Sequence, residues 1–198
     1  AAVFDTLDGR IARMTGTTSK FGQEYDSLSD LISFGAAPAL LAYLWLLKPY
    51  GKYGWMAAFL YVATTALRLA RFNTQISTAD KRFFQGLASP AAAAVIVGAV
   101  WVCEIYDISG QDVMFPALIL TTVTGLLMVS KFAYYSFKDL DLKKRVPFIA
   151  VFMIVLAFVL LSIEPPTVLF CLFFLYMISG PVFALLRWAR KRRKLAQS

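Results

Sequence analysis

Long apolar runs separated by short polar segments occupy most of the chain. Several of these runs approach or exceed the roughly 20 residues that an α-helix needs to cross a lipid bilayer. Because neither an internal repeat nor a low-complexity linker interrupts the pattern, it predicts a single domain over residues 1–198. The expected fold class is all-α, a polytopic transmembrane helical bundle with about seven spans. Those spans are expected at residues 1–13, 21–47, 55–72, 91–105, 113–134, 147–163 and 167–186.

The composition is typical of a membrane protein and not of a soluble globule. Hydrophobic residues make up 59% of the chain, against about 45–50% in an ordinary soluble domain. The sequence contains no His, which excludes His-based acid–base catalysis and His-ligated zinc. Its two cysteines, Cys103 and Cys171, lie in or beside apolar runs, and this placement predicts two buried, unreactive thiols.

The basic residues are distributed unequally between the polar segments. Of the 20 Lys and Arg residues, 18 fall in alternate loops and in the C-terminal tail, and the other loops carry only Lys48 and Lys52. The positive-inside rule therefore predicts that the basic loops face the cytoplasm. We expect an integral protein of a prokaryotic cell membrane whose charge of +8 faces anionic lipid headgroups. We expect no nucleic-acid partner, because no basic domain with interleaved aromatic residues stands outside the apolar runs.

Four carboxylates lie close together near the start of the chain, at Asp5, Asp8, Asp26 and Asp30. The spacing within each pair places both side chains on one helix face, so a hairpin would bring all four together on the cytoplasmic side. Like charges share such a volume only with bound cations or shared protons. Oxygen ligands without Cys or His favour Mg²⁺, Mn²⁺ or Ca²⁺. Two other interpretations stay open, namely solvated loop charges or helix caps, and the ion pathway of a cation transporter.

Metal-assisted phosphoryl transfer is the sharper hypothesis for this cluster. Two divalent ions held by carboxylates can bind a pyrophosphate and stabilise charge on its entering and leaving oxygens. Gly9 lets a ligand approach the backbone closely, and Arg13 can pair with a phosphate in a forked geometry. Thr17 and Ser19 offer hydroxyl groups. Asp30 can take a proton from an incoming hydroxyl while it contacts a metal ion.

The whole segment Asp5-x2-Asp8-Gly9-x2-Ala12-Arg13-x8-Gly22-x3-Asp26-x3-Asp30 resembles the signature of the CDP-alcohol phosphotransferases at every defined position. The resemblance implies a CDP-linked lipid donor, an alcohol acceptor, two Mg²⁺ or Mn²⁺ ions, CMP as leaving group and a homodimer. It also implies one further helix before residue 1. By position, the implied metal ligands are Asp5, Asp8, Asp26 and Asp30, with Asp30 also the general base. The implied CDP contacts are Gly9, Arg13, Ser19 and Gly22.

Softer motifs indicate a branch of that family. Phe34-Gly-Ala-Ala-Pro38, Arg68-Leu-Ala-Arg71-Phe-Asn73, Gly86-Leu-Ala-Ser-Pro90 and Tyr134-Tyr-Ser-Phe-Lys138 resemble the phosphatidylserine synthase branch. The reaction implied is CDP-diacylglycerol plus L-serine giving phosphatidylserine and CMP. An alternative acceptor is a phosphorylated polyol such as glycerol 3-phosphate or inositol phosphate. Ser89 and Pro90 are also typical of a helix N-cap and first position. The candidate serine-binding residues are Arg68, Arg71, Asn73 and Lys131.

Overall fold

The computed structural model describes residues 20–75, 83–135 and 148–195, which are mostly helical. The first expected helix, residues 1–13, lies outside these ranges. The six later expected helices each correspond to a helical segment of the described chain. The helices are α1 (Lys20–Asp30), α2 (Ala37–Ala42), α3 (Lys52–Gln75), α4 (Ser89–Ile105), α5 (Met114–Val129), α6 (Phe148–Ile163) and α7 (Pro165–Leu195). The strands are β1 (Phe83–Gln85) and β2 (Ala133–Tyr135).

The chain stays helical from α1 into α2 through a π-helical turn, Leu31–Ala36, and beyond α2 through a second one, Tyr43–Leu47. A π-turn inserts an extra residue into an α-helix and is frequent near functional sites. The first turn begins directly after Asp30 and is followed by Pro38 at the start of α2. The expected single helix over residues 21–47 is therefore present, with its regular hydrogen bonding interrupted beside the acidic residues.

Two helix pairs form the core of the described bundle. Helix α3 packs against α5, and α4 packs against α7. The Ala-rich start of α4 packs closely against its neighbours, since Ala91, Ala92 and Ala93 are all buried and small residues let helix backbones approach. Three buried threonines of α3 and α5 bond back to their own helices, as Thr65 does to the Tyr61 carbonyl at 2.8 Å, whereas Thr124 donates to the Met177 sulfur of α7 at 3.3 Å.

Helix α5 ends at Val129, so the expected fifth span up to residue 134 is too long. Ser130 turns the chain into an extended conformation, and its hydroxyl donates to the Leu127 carbonyl at 2.8 Å. The residues that follow form β2, which pairs antiparallel with β1. The strand pairing satisfies backbone hydrogen-bonding groups of two connecting segments. The residues of β2 are apolar like those of α5, so the sequence does not show where the helix ends.

Gly86 joins the ribbon to the helical core. It adopts a positive φ of 79°, and its N–H donates to the Phe132 carbonyl at 2.9 Å. A Cβ at this position would overlap the Met128 carbonyl, so both the conformation and the space require glycine. The ribbon is thereby fixed against the end of α5 and the start of α4.

Two stretches of the described chain, Glu24–Tyr50 and Pro165–Ala189, are long and apolar enough to cross a membrane, and Ser89–Ile105 and Met114–Val129 are shorter apolar helices. Helix α7 continues past the expected end of the seventh span into the basic tail, where the Arg192 guanidinium lies 3.9 Å from the centre of the Trp188 ring. Cys103 is buried as predicted, but Cys171 is exposed, because it lies on an outward side of α7.

Candidate active site

Helix α1 carries the second pair of the acidic cluster. Asp26 is exposed and Asp30 is half-buried at the end of this helix, one turn further along. Gly22 lies exposed near the start of the same helix. Within residues 20–75, 83–135 and 148–195, no group of three Asp, Glu, His or Cys side chains suits a metal ion. The other expected members of the site, namely Asp5, Asp8, Gly9, Arg13 and Ser19, lie outside the described residues.

Helix α1 and the π-turn after it are attached to α3 by side-chain hydrogen bonds. The Asn73 amide of α3 donates to the Ser27 hydroxyl at 2.9 Å, between the two acidic positions. The Tyr61 hydroxyl donates to the Phe34 carbonyl at 3.1 Å. Pro38 has no N–H with which to reach that carbonyl, as an ordinary residue at this position of an α-helix would. The chain here is π-helical, so its backbone bonds run to the fifth residue, and the tyrosine hydroxyl gives the Phe34 carbonyl a donor from the neighbouring helix.

A glycine lets the two helices come together just beyond Asp30. A Cβ added to Gly35 would lie 3.1 Å from Thr65 Cγ2, and both residues are buried. The close approach and the two hydrogen bonds fix Asp30 relative to α3. The sequence spacing predicts the acidic pair itself, and the contacts with α3 determine where that pair lies.

Arg68 of α3 is the cation that the structure brings to Asp30. The Asp30 carboxylate lies near enough to its guanidinium to favour the charged form, and the Tyr176 phenol of α7 lies in the same neighbourhood. The Arg68 Nη1 donates to the Ser89 hydroxyl at 2.7 Å, so side chains from four helices converge. The Nε is buried and has no hydrogen-bond partner among the described residues. A half-buried guanidinium with a donor to spare is suited to an anion such as a carboxylate or phosphate.

The other three candidate acceptor contacts lie in different surroundings. Arg71 donates to the Val129 carbonyl at 3.2 Å and to the Gln85 side chain at 2.6 Å, so it ties α3 to α5 and to β1. Asn73 is engaged with Ser27, as described above. Lys131 is exposed in the segment between α5 and β2. Among the four candidates, the structure thus brings Arg68 to Asp30 and uses the amide or guanidinium of two others to join elements.

Sequence reasoning missed two residues at this site, Ser89 and Tyr176. The prediction that Ser89 caps α4 is wrong, because Ala88 is the N-cap residue and Ser89 is already helical. Its hydroxyl accepts from Arg68 instead. Tyr176 stands in an apolar, aromatic run in which nothing but tertiary packing distinguishes it. Its proximity to Arg68 comes from the packing of α7 against α4, which no local pattern reveals.

Comparison with known proteins agrees with the acidic signature. A family model described as CDP-alcohol phosphatidyltransferase matches residues 1–129. The CDP-diacylglycerol–serine O-phosphatidyltransferase of Helicobacter pylori is 38% identical over 187 residues, 94% of this chain and 75% of that protein. A protein with the same name from Methanocaldococcus jannaschii is 35% identical over 178 residues, 90% of this chain and 77% of that protein.

The matched region runs from the first acidic pair through α5, so it includes α1, α3 and the Asp30–Arg68 pair. The two relatives match 90–94% of the chain at 35–38% identity. The chain belongs to the CDP-alcohol phosphatidyltransferase family.

Proposed function

We propose that this protein is a CDP-diacylglycerol–serine O-phosphatidyltransferase, a phosphatidylserine synthase. It transfers the phosphatidyl group of CDP-diacylglycerol to the hydroxyl of L-serine and releases CMP. The names of the relatives that cover most of the chain support this acceptor. The observation that carries the proposal is the half-buried Arg68 side chain near Asp30, whose Nη1 donates to Ser89 at 2.7 Å and whose Nε is buried and unpartnered among the described residues. Serine needs both a base for its hydroxyl and a cation for its carboxylate, and this pair offers one of each.

In the proposed reaction, the serine hydroxyl oxygen attacks the phosphorus atom that carries the lipid. A new oxygen–phosphorus bond forms, the bond to CMP breaks, and Asp30 accepts the hydroxyl proton. Arg68 binds the serine carboxylate through a charge-assisted hydrogen bond. Arg71 and Asn73 contribute by holding α3 to its neighbours, and a role for Lys131 in serine binding stays a prediction.

The proposed metal ligands are Asp5, Asp8, Asp26 and Asp30, with Mg²⁺ or Mn²⁺ as the ions. The donor chemistry fits, because carboxylate oxygens one turn apart on a helix suit hard divalent cations. Two such ions, when bound, neutralise charge on a pyrophosphate. The proposed CDP contacts are Gly9, Arg13, Ser19 and Gly22.

The proposed setting is a lipid bilayer, with the site on the cytoplasmic side. Two described stretches are long and apolar enough to cross a membrane, and the distribution of basic residues supports this orientation. Both substrates fit that position, since CDP-diacylglycerol is a lipid and serine is a soluble cytoplasmic amino acid. A homodimer remains the expected assembly from the family resemblance.

The test is an assay of CMP release from CDP-diacylglycerol with Mn²⁺ and one acceptor at a time: L-serine, glycerol 3-phosphate or inositol phosphate. We expect phosphatidylserine with serine and no product with the other two. Asp30→Asn should lower turnover by about 10²-fold or more, because the base is removed. The matched control is Asp112→Asn, at an exposed acidic residue just before α5. Product only with a phosphorylated polyol would reject serine, and cation flux without CMP release would favour the transporter.

A further inference from the structure

Helix α7 contains a proline, Pro181, inside the stretch that is long and apolar enough to cross a membrane. Proline has no N–H, so the carbonyl four residues earlier, that of Met177, receives no bond from it. The Tyr134 hydroxyl of β2 donates to that carbonyl at 2.9 Å. Tyr134 is fully buried, at 0% exposure. A side chain from the ribbon therefore supplies the donor that α7 itself lacks.

The residue before the proline makes room for the tyrosine ring. A Cβ on Gly180 would overlap ring atoms of Tyr134, so glycine is required for the ring to reach α7. Gly180 and Pro181 together form a notch that Tyr134 occupies. The notch explains why α7 contains a glycine and a proline, two residues that by themselves weaken a helix. It also gives a structural role to Tyr134, the first residue of one of the sequence motifs.

Tyr134 is connected to the candidate active site through the ring of Tyr176. Its ring centre lies 5.5 Å from that of Tyr176, at an interplanar angle of 47°. Tyr176 lies in the neighbourhood of Arg68, whose Nη1 donates at 2.7 Å to Ser89 on α4, the helix that packs against α7. The ribbon that carries Tyr134 is itself held by the bond from Gly86 to Phe132. The bond to Met177 therefore joins a fixed element to the turn of α7 that bears Tyr176.

We propose that Tyr134 is a positioning residue for acceptor binding: its hydroxyl fixes α7 at the Met177 carbonyl and so sets Tyr176 beside Arg68. The inference deepens the proposed function and rests on it. Apolar packing between helices resists separation but leaves rotation and sliding less restricted, whereas a hydrogen bond has a direction. Loss of the hydroxyl should therefore disturb the serine pocket without unfolding the protein.

The test is the kinetics of purified Tyr134→Phe with serine and CDP-diacylglycerol varied in turn. Phenylalanine keeps the ring in its notch and removes the hydroxyl alone. We expect the KM for serine to rise about five- to tenfold, which corresponds to one lost hydrogen bond, with kcat and the KM for CDP-diacylglycerol within about twofold of wild type. The matched control is Tyr106→Phe, which removes a hydroxyl bonded to Glu164 at 2.8 Å, near the other end of α7. The control should leave the KM for serine unchanged.

A second background separates positioning from a general structural effect. Pro181→Ala gives α7 an N–H that can bond the Met177 carbonyl, so the Tyr134 hydroxyl becomes redundant. In that background, Tyr134→Phe should change the KM for serine by less than about twofold. An equal increase in both backgrounds, an unchanged KM in the single variant, or the same increase in Tyr106→Phe would each overturn the inference. Wild-type protein that makes no phosphatidylserine would instead reject the proposed function.

Discussion

Replacing Gly35 with alanine would test whether the contact between the π-turn and α3 sets the place of Asp30. The new Cβ would lie 3.1 Å from both Leu31 Cδ1 and Thr65 Cγ2, and 3.2 Å from Thr65 Cβ. Ordinary carbon contacts are about 3.5–4.0 Å. The end of Leu31 can rotate away, but Thr65 is fully buried and its hydroxyl is bonded to the Tyr61 carbonyl at 2.8 Å. Because a β-branched side chain is stiff, the backbone beyond Asp30 has to move instead.

The size of the effect follows from these distances. Restoring a normal contact requires a shift of about 0.3–0.5 Å. A misplacement of 1 Å costs up to about 10²-fold in rate, so a shift of this size corresponds to about a four- to tenfold loss of kcat. The overpacking itself costs about 1–3 kcal/mol, of which alanine recovers up to about 1 kcal/mol through its better helix propensity. The variant should therefore fold and work slowly.

The assay is the rate of CMP release at saturating substrates, with the melting temperature measured in parallel. The matched control is Gly98→Ala, whose Cβ would lie 3.2 Å from Phe170 Cβ, between α4 and α7. It introduces similar crowding without touching the helix of Asp30. Adding Thr65→Ser to Gly35→Ala removes Cγ2, keeps the hydroxyl, and should recover most of the lost rate. Equal kcat values in the two alanine variants, both folded, would refute the reasoning.

Two further substitutions test the role of Arg68 and the fit of Tyr134 into the notch on α7. Arg68→Lys keeps the positive charge but loses the forked donor geometry of the guanidinium. The KM for serine should therefore rise at least about tenfold through the loss of one charge-assisted bond, while the KM for CDP-diacylglycerol stays unchanged. Equal effects on both KM values in steady-state kinetics would contradict this. Gly180→Ala places a Cβ inside the Tyr134 ring and should lower the stability by about 1–3 kcal/mol, read as a lower melting temperature. An unchanged melting temperature would show that Tyr134 does not occupy the notch.

The sequence predicts the helices well where a single helix explains the pattern. The expected span at 91–105 becomes Ser89–Ile105, because a long apolar run bounded by Pro90 and a polar turn leaves few choices. The fifth span was predicted too long, because its end depends on β1. That partner comes from the preceding loop, and the pairing of Gln85 with Ala133 is a tertiary event. Local propensity cannot reveal it.

The candidate site shows the same division between local and tertiary information. The acidic spacing is local and could be read directly from the chain. Arg68 and Arg71 are one turn apart and look alike in sequence, yet one interacts with Asp30 and the other bonds the Val129 carbonyl. Which of the two faces the acid depends on how α3 is rotated between its neighbours. For the same reason, the local pattern does not distinguish Ser89 from a helix cap or Tyr176 from its apolar neighbours.

The two prolines, Pro38 and Pro181, point to one physical reason for this arrangement. A proline inside a helix costs about 3 kcal/mol or more, partly through the carbonyl it leaves without a partner. Here the carbonyls of Phe34 and Met177 each receive a buried tyrosine hydroxyl from a neighbouring element.

Both carbonyls belong to helical stretches that carry site residues, the first just after Asp30 and the second next to Tyr176. Apolar packing between helices gives little directional information, and in lipid it lacks even the hydrophobic driving force between helices. A carbonyl that receives no bond from a proline can accept a hydrogen bond from a neighbouring element. Because that bond has a preferred direction, it fixes the position of the neighbour along and around the helix. Each proline thus destabilises its own helix but is accompanied by a directional hydrogen bond from a tyrosine, which restricts rotation of the helices that carry Asp30 and Tyr176.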